Sequence, residues 1–71
     1  MTPSSLRIPR KRVLVVEDDY YVADSLAVAL ETHGIEVLGP VATVQAATDL
    51  VAHTERIDGA VLDVNLKGES V

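Results

Sequence analysis

Three acidic side chains stand where a folded chain can bring them together. Glu17 and Asp18 follow the apolar run at residues 13–16, and Asp63 follows the apolar run at residues 60–62. If these runs are neighbouring parallel strands, their carboxyl ends meet at one edge of the sheet, where ligands bind in open α/β folds. Carboxylates held that close repel one another, and a divalent cation relieves the repulsion. Hard oxygen ligands with room for waters suit Mg²⁺, so the spacing predicts a magnesium site formed by Glu17, Asp18 and Asp63.

Asp63 is the acid best placed to accept a phosphoryl group. A carboxylate is a poor phosphoryl acceptor because both reactants are anions, and Mg²⁺ bound between them neutralises the charge that develops during transfer. An acyl phosphate on aspartate is an established covalent intermediate. Asp63 stands alone at the end of its strand, so the sheet would fix its backbone while Glu17 and Asp18 hold the metal.

The strands that would position these acids are short and aliphatic. Residues 13–16 and residues 60–62 are apolar on both faces, a pattern typical of buried strands in a parallel sheet. Residues 36–39 predict a further short strand, which Gly39 and Pro40 bend or end. Because proline cannot donate a ladder hydrogen bond, an edge position is expected for this strand.

Two amphipathic helices are predicted between the strands. The first begins at Tyr20 and ends near Gly34, and the second follows Thr43 as its N-cap. Helices of this length between strands indicate right-handed crossovers and a parallel sheet, in the order β-α-β-α-β. The apolar periodicity assigns these inner faces: Val22, Leu26, Ala29 and Leu30 in the first helix, and Val44, Ala47, Leu50 and Val51 in the second.

The same acids also have a simpler structural interpretation. Glu17 can be a solvated loop residue, Asp63 can form a turn, and Asp18 or Asp19 can cap the first helix, since acids favour the first helical turn. Capping by Asp19 is compatible with a cation site at the other acids. Capping alone leaves Asp63 without an explanation, so the cation site is the favoured interpretation.

The histidines and tyrosines give weaker signals. His33 and His53 lie near predicted helix ends and are expected to be capping or surface residues, since neither has the His or Cys spacing of a zinc site. Tyr20 and Tyr21 open the first helix, where we expect one ring to pack and the other to be exposed.

Charge is unevenly distributed along the chain. The formal net charge is −5, yet residues 13–71 carry two basic residues against eleven acidic ones, a net charge of −9. Such an acidic body repels a phosphate backbone, so direct nucleic-acid binding is not expected. The other four basic residues lie in residues 1–12, which also contain two prolines and a serine pair and are predicted to be a disordered basic tail.

Composition narrows the class of protein further. Seventy-one residues allow one small domain, and the absence of cysteine excludes disulfides and thiolate metal sites. The longest apolar runs are far shorter than the ~20 residues of a membrane span, and the first residues lack a signal peptide's apolar centre. We therefore expect a cytoplasmic protein that does not enter a membrane.

Two sequence motifs resemble a known family. The run VLVVEDD followed by a helix, with LDVNLKG further along the chain, resembles the receiver domain of two-component response regulators. The resemblance covers residues 12–71 and includes both acidic sites in order. It implies a flavodoxin-like, doubly wound parallel α/β sheet with strand order 2-1-3. Residues 13–71 would then be a truncated receiver domain, lacking the C-terminal strands and helices.

The resemblance also implies roles for individual residues. Glu17 and Asp18 take the places of the family's acidic pair, Asp63 matches the phosphorylated aspartate, and Asn65 matches the position whose main-chain carbonyl coordinates the metal. It implies a signalling module, rather than an enzyme, that receives a phosphoryl group on Asp63 from a sensor histidine kinase or a histidine phosphotransfer protein, with Mg²⁺ as cofactor.

Two other functions stay open. The chain can be a fragment that only binds metal, or that self-associates or pairs with a partner through the exposed edge and apolar face of residues 60–62. A metal-dependent phosphohydrolase with Asp63 as nucleophile is disfavoured, because such enzymes generally need a second acid where this sequence has Asn65.

Overall fold

A computed structural model describes residues 10–63 in full, together with the backbone of residues 65–66 and 69–70. These residues form a small α/β fold whose elements are β1 (Arg12–Val16), α1 (Tyr20–Thr32), β2 (Glu36–Val41), α2 (Val44–Ala52), β3 (Gly59–Leu62), β4 (Asn65–Leu66) and β5 (Glu69–Ser70). The predicted order β-α-β-α-β is confirmed through β3. The short antiparallel pair β4–β5 was not predicted. In the described part of the chain, neither helix is long and apolar enough to cross a membrane.

The first strand begins one residue before the predicted end of the tail. Arg12 belongs to β1, whereas the sequence predicts a tail over residues 1–12. Residues 1–9 lie outside the described residues, so most of the tail prediction concerns a part of the chain that the structure does not describe.

β1 is the central strand of a three-stranded parallel sheet with the order β2-β1-β3. Along β3, Val15 pairs with Val61 and Val16 with Leu62, without a shift in register. The two strands therefore end side by side, as the acidic motifs required. Since the two crossovers cross the sheet in opposite directions, right-handed connections place α1 and α2 on opposite faces.

The core is built around β1. Leu14 and Val16 are buried on one face of the strand, where they pack against partly buried side chains of β2 and α2 together with Ile57. Val15 alternates to the other face and is fully buried, and Ala23 is the buried residue of α1.

β2 runs two residues further than predicted. It extends to Val41, and the register against β1 shifts between Leu14 and Val16 so that Val16 pairs with Val41. Gly39 makes this possible, because it has a φ of +93° and a side chain there would stand 2.8 Å from the Val41 nitrogen. Pro40 is tolerated because β2 is an edge strand, as predicted.

The helix boundaries follow the capping residues of the sequence. Asp19 caps α1, and Thr43 caps α2 by accepting a hydrogen bond of 3.0 Å from the Ala46 N–H. His33 and His53 are the C-caps, which confirms their assignment as capping residues. Gly34 follows α1 with a φ of +77°, the left-handed conformation that ends many helices.

Several burial predictions were wrong, mainly around β3. Leu62 is 47% exposed and Ala60 is exposed, so within the described residues β3 is an edge strand with an uncovered face. This differs from the buried strand that its apolar pattern predicts and agrees with the exposed edge and face that the fragment hypothesis expects. The predicted inner residues Val22 and Val51 are 45% and 49% exposed, and Ala29 is also exposed. The described part of the chain supplies no element over these positions, whereas periodicity assumes that the apolar face of each helix is covered.

Both tyrosine rings are exposed, contrary to the expectation that one would pack. Tyr20 is 76% and Tyr21 81% exposed. The two rings contact each other edge to face, with centroids 5.8 Å apart, a favoured geometry for aromatic pairs. The first turn of α1 therefore presents an aromatic pair to solvent.

Charged side chains connect the strands at their amino ends, which we call the amino edge of the sheet. The Asp58 carboxylate accepts a hydrogen bond of 2.8 Å from the Arg12 backbone N–H and lies 3.4 Å from Arg56 Nε. Arg12 Nε lies 3.4 Å from Glu36 Oε2, an ion pair without hydrogen-bond geometry. The Arg56 guanidinium also donates to the Arg10 carbonyl. This amino-edge network thus connects β1, β2 and the loop that leads into β3.

The network changes the ionisation of one of its members. The hydrogen bond from the Arg12 N–H has the largest effect and lowers the pKa of Asp58 below its ordinary value of 3.8. Desolvation opposes it, and the nearby charges, that of Arg56 first, lower the pKa further. The ionised form of Asp58 is therefore the form that the fold prefers.

Candidate metal centre

The sheet fixes the backbone of two of the three predicted acids. The Glu17 N–H donates to the Val41 carbonyl at 2.9 Å, and the Asp63 N–H donates to the Val16 carbonyl at 3.0 Å. Each acid is thus the first residue beyond its strand and is still held by a hydrogen bond to the neighbouring strand. The apolar runs that precede these residues explain their position, because the strands end where the charges begin.

The structure brings Glu17, Asp18 and Asp63 together. One carboxylate oxygen from each lies within 4.8 Å of the others, and all three residues are partly buried. Glu17 and Asp18 are neighbours in sequence, but Asp63 reaches them only because β3 pairs with β1 in register. We refer to this group as the acidic cluster.

The turn between β1 and α1 is closed by hydrogen bonds. Glu17 Oε1 accepts a hydrogen bond of 3.1 Å from the Asp19 N–H. Asp19 Oδ1 in turn accepts hydrogen bonds from the N–H groups of Tyr21 and Val22, at 2.9 and 3.1 Å. Asp18 lies between these two anchored residues in the chain. The sequence allows either Asp18 or Asp19 as the N-cap of α1, and in the structure the N-cap is Asp19.

Open cavities adjoin the acidic cluster, and two of them are lined by both Glu17 and Asp18. The one over β3 has a volume of about 560 Å³ and is lined by all three acids and by apolar side chains that include Val22 and Leu62. The other lies between α1 and the end of β2, has a volume of about 260 Å³, and is lined by Glu17, Asp18 and Tyr20 among others. The cluster is therefore accessible to small molecules from two sides.

The acidic cluster fits a hard divalent cation. Mg²⁺ binds oxygen at about 2.0–2.1 Å, so two of its ligands are at most ~4.2 Å apart, while Ca²⁺ at about 2.3–2.6 Å allows up to ~5.2 Å. Carboxylate oxygens that all lie within 4.8 Å of one another are close enough to ligate one divalent cation of either kind.

For Asn65, unlike the three acids, the structure describes the backbone alone. Its backbone opens β4 and pairs with Ser70 in the short antiparallel ladder. The acidic cluster is defined by carboxylate oxygens alone. Coordination of a metal by the Asn65 carbonyl therefore stays a prediction.

Comparison with family models, curated proteins and solved structures finds no match for the chain. The fold and site define a class of domain: a small α/β domain with a three-stranded parallel sheet and three carboxylates at its carboxyl edge. The step from this class to a function rests on the chemistry of the cluster and on the sequence motifs.

Proposed function

We propose that the chain is part of a receiver domain, which accepts a phosphoryl group on Asp63 with Mg²⁺ held by Glu17, Asp18, Asp63 and the main-chain carbonyl of Asn65. The observation that carries the proposal is the convergence of the three carboxylates at the adjoining ends of β1 and β3. The strand order β2-β1-β3 is the order expected for a flavodoxin-like sheet of this family.

The chain's own residues account for the acceptor step. The Asp63 carboxylate oxygen attacks the phosphorus atom of the donor, the bond from phosphorus to the donor's leaving group breaks, and an acyl phosphate forms on Asp63. The hydrogen bond from the Asp63 N–H to Val16 holds the nucleophile at the edge of the sheet. A bound Mg²⁺ would supply neutralisation of the charge on the phosphoryl oxygens. Glu17 and Asp18 would hold that cation beside the acceptor.

The proposal includes a physiological donor. A phosphorylated histidine of a sensor histidine kinase or a phosphotransfer protein is a suitable donor because its phosphorus–nitrogen bond is reactive. The cavity of about 560 Å³ over Asp63 is open enough for a side chain of a partner to enter. In this scheme the chain is a substrate and signalling module in the cytoplasm, and turnover belongs to its partners.

Labelling with a small phosphodonor tests the acceptor. Incubation with acetyl phosphate and Mg²⁺ should add the mass of one phosphoryl group, and EDTA should prevent the addition. Asp63→Asn should abolish it, because an amide oxygen does not form a stable phosphoryl adduct. Hydroxylamine, which cleaves acyl phosphates and leaves phosphate esters intact, should remove the label. Intact-mass spectrometry measures each result.

A matched variant separates the acceptor from a general loss of acidity. Asp49 is an exposed aspartate of α2 whose Oδ1 accepts a hydrogen bond from Gln45, and Asp49→Asn keeps that acceptor oxygen. This variant should label like the unchanged chain. Labelling that survives Asp63→Asn would overturn Asp63 as the acceptor, and an unchanged chain that binds Mg²⁺ without labelling would overturn the function.

Pairing through the β3 edge is the second candidate function. The exposure of Ala60 and Leu62 favours it, because among the described residues β3 pairs with β1 alone and an unpaired strand edge can template pairing with other strands. The occupant would be a second copy or a partner's strand. Light scattering tests the first case. An oligomer that dissociates on Leu62→Lys substitution supports self-pairing, and a monomer at high protein concentration contradicts it.

A further inference from the structure

We infer that Asp19 is a positioning residue for the acidic cluster, acting through the turn that carries Glu17 and Asp18 rather than by touching a cation. The inference rests on the proposed function, because it concerns the cation site on which that function depends. It adds a role for an acid that neither motif identifies as a ligand.

Asp19 is the residue that links the cluster to α1. Its carboxylate accepts from the N–H groups of Tyr21 and Val22, and its carbonyl accepts from the Ala23 N–H at 2.9 Å, so it is fixed to the helix through both side chain and backbone. Its own N–H donates to Glu17 Oε1 at 3.1 Å. One residue therefore joins the start of the helix to the side chain of a cluster acid.

Glu17 is consequently held at two points. Its backbone is bound to Val41 and its carboxylate to the Asp19 N–H, which orients the side chain before any cation arrives. Among the described residues, the acids whose oxygens lie within 4.8 Å of one another are Glu17, Asp18 and Asp63, and Asp19 is not in that group. Its contribution is the orientation of ligands, the part that supporting groups around metal sites typically play.

Three substitutions separate orientation from charge. Asp19→Ala removes both the cap and the charge, whereas Asp19→Asn removes the charge and keeps an oxygen that can cap the helix. Thr43→Ala removes the corresponding cap of α2, where the Thr43 hydroxyl accepts from the Ala46 N–H. It is the matched control for the loss of a helix cap away from the cluster.

The tyrosines provide a local readout of cation binding. The chain has two tyrosines and no tryptophan, and both follow the acidic turn, with Tyr20 lining the same cavity as Glu17 and Asp18. Tyrosine emission can therefore follow a Mg²⁺ titration at equilibrium. Tb³⁺, an oxygen-seeking ion whose luminescence a nearby tyrosine excites, reports the same site by competition with Mg²⁺. Far-UV circular dichroism shows whether each variant is folded.

We expect Asp19→Ala to weaken Mg²⁺ affinity about tenfold, Asp19→Asn to weaken it by less than about threefold, and Thr43→Ala to leave it unchanged. Equal losses in Asp19→Ala and Asp19→Asn would show that charge is responsible and overturn the inference. So would unchanged affinity in Asp19→Ala, or an equal loss in Thr43→Ala. If Asp19→Ala does not fold, Asp19→Gly replaces it, because glycine is tolerated at an N-cap but lacks the carboxylate.

The two proposals fail in different ways. An unchanged chain that binds no cation overturns both. A chain that binds Mg²⁺ with an affinity that Asp19 variants do not alter overturns only the positioning role of Asp19. Cation binding that depends on Asp19 but gives no label on Asp63 supports the positioning role and overturns the acceptor function.

Discussion

The amino and carboxyl ends of the parallel strands, here called the amino edge and the carboxyl edge of the sheet, carry acidic side chains in opposite surroundings. At the amino edge, Glu36 and Asp58 lie 3.4 Å from the guanidinium nitrogens of Arg12 and Arg56. At the carboxyl edge, the three carboxylates of the acidic cluster approach one another to within 4.8 Å. All four basic residues between positions 10 and 63 lie in the chain that leads into β1 or β3, or at the first position of β1.

This contrast separates acids that hold strands together from acids that are proposed to bind a cation. Carboxylates of the amino edge hold strands together, because a cation or an N–H group faces each of them. Those of the carboxyl edge lie close to one another, and like charges at short range repel. Under the proposed function, this arrangement serves to hold a cation. We therefore expect the same residue type to stabilise the fold at one edge and, without a cation, to destabilise it at the other; the predictions below test that difference.

The largest expected effect is stabilisation by a divalent cation. Mg²⁺ at 100 times its dissociation constant should raise the free energy of unfolding by about 2.7 kcal/mol, since it binds the folded chain alone. For a domain of this size that corresponds to a rise of roughly 10–20 °C in Tm. Thermal unfolding followed by circular dichroism measures the shift.

The matched pair of variants for this prediction comes from the two edges. Asp18→Asn should remove most of the Mg²⁺-dependent shift, whereas Asp58→Asn should leave it intact, because Asp58 lies at the opposite edge. A shift of equal size in both variants would mean that the cation acts through general charge screening, and the distinction between the edges would be lost.

Without a cation, substitution of a cluster acid should change stability by less than it does in Mg²⁺, and in the opposite direction. In EDTA, Glu17→Gln should stabilise the fold by less than about 1 kcal/mol, because it removes one repelling charge from a partly exposed cluster. The amide oxygen of Gln can still accept from the Asp19 N–H. Asp58→Asn should instead lower Tm, because it removes the charge that Arg56 faces.

Urea unfolding of both variants beside the unchanged chain gives the comparison. Destabilisation by Glu17→Gln in EDTA would indicate that hydrogen bonding outweighs repulsion at the cluster. About 1 M NaCl should reduce both effects, since salt screens exposed charges at either edge.

Much of the carboxyl edge could be predicted from the sequence. The two apolar runs end at acids, and the parallel order follows from the helices between them, so the meeting of Glu17, Asp18 and Asp63 needed only that β1 and β3 be neighbours. Thr43 was likewise recognisable, because the cap of a helix is a local property.

The amino edge and the surface around β3 could not be predicted in this way. The bond from the Arg12 N–H to Asp58 joins residues 46 positions apart, and no local pattern indicates it. The exposure of Val22 depends on whether another element covers β3, which periodicity within one helix does not reveal. For the same reason the sequence left both a buried and an exposed face open for residues 60–62. The extension of β2 depends on the positive φ of Gly39, whereas the sequence Gly-Pro indicates a strand end.

The smallest expected effect concerns acid and the amino edge. The hydrogen bond from the Arg12 N–H, with help from Arg56, lowers the pKa of Asp58 below 3.8 in the fold. Ionised Asp58 therefore stabilises the fold fully above its unfolded pKa, and this contribution is lost as the pH falls through the folded value. Asp58→Asn lacks the contribution at every pH, so its stability should approach that of the unchanged chain in acid.

Urea midpoints measured between neutral pH and about pH 3 check this convergence. The difference between the two chains should be constant near neutrality and should shrink below about pH 4. Glu55→Gln, which removes an exposed acid of the same loop, is the control and should track the unchanged chain throughout. A difference that persists undiminished in acid would show that the Asp58 side chain acts through its shape and neutral hydrogen bonding. In that case the amino edge would owe its strength to geometry, and charge would distinguish the two edges only at the acidic cluster.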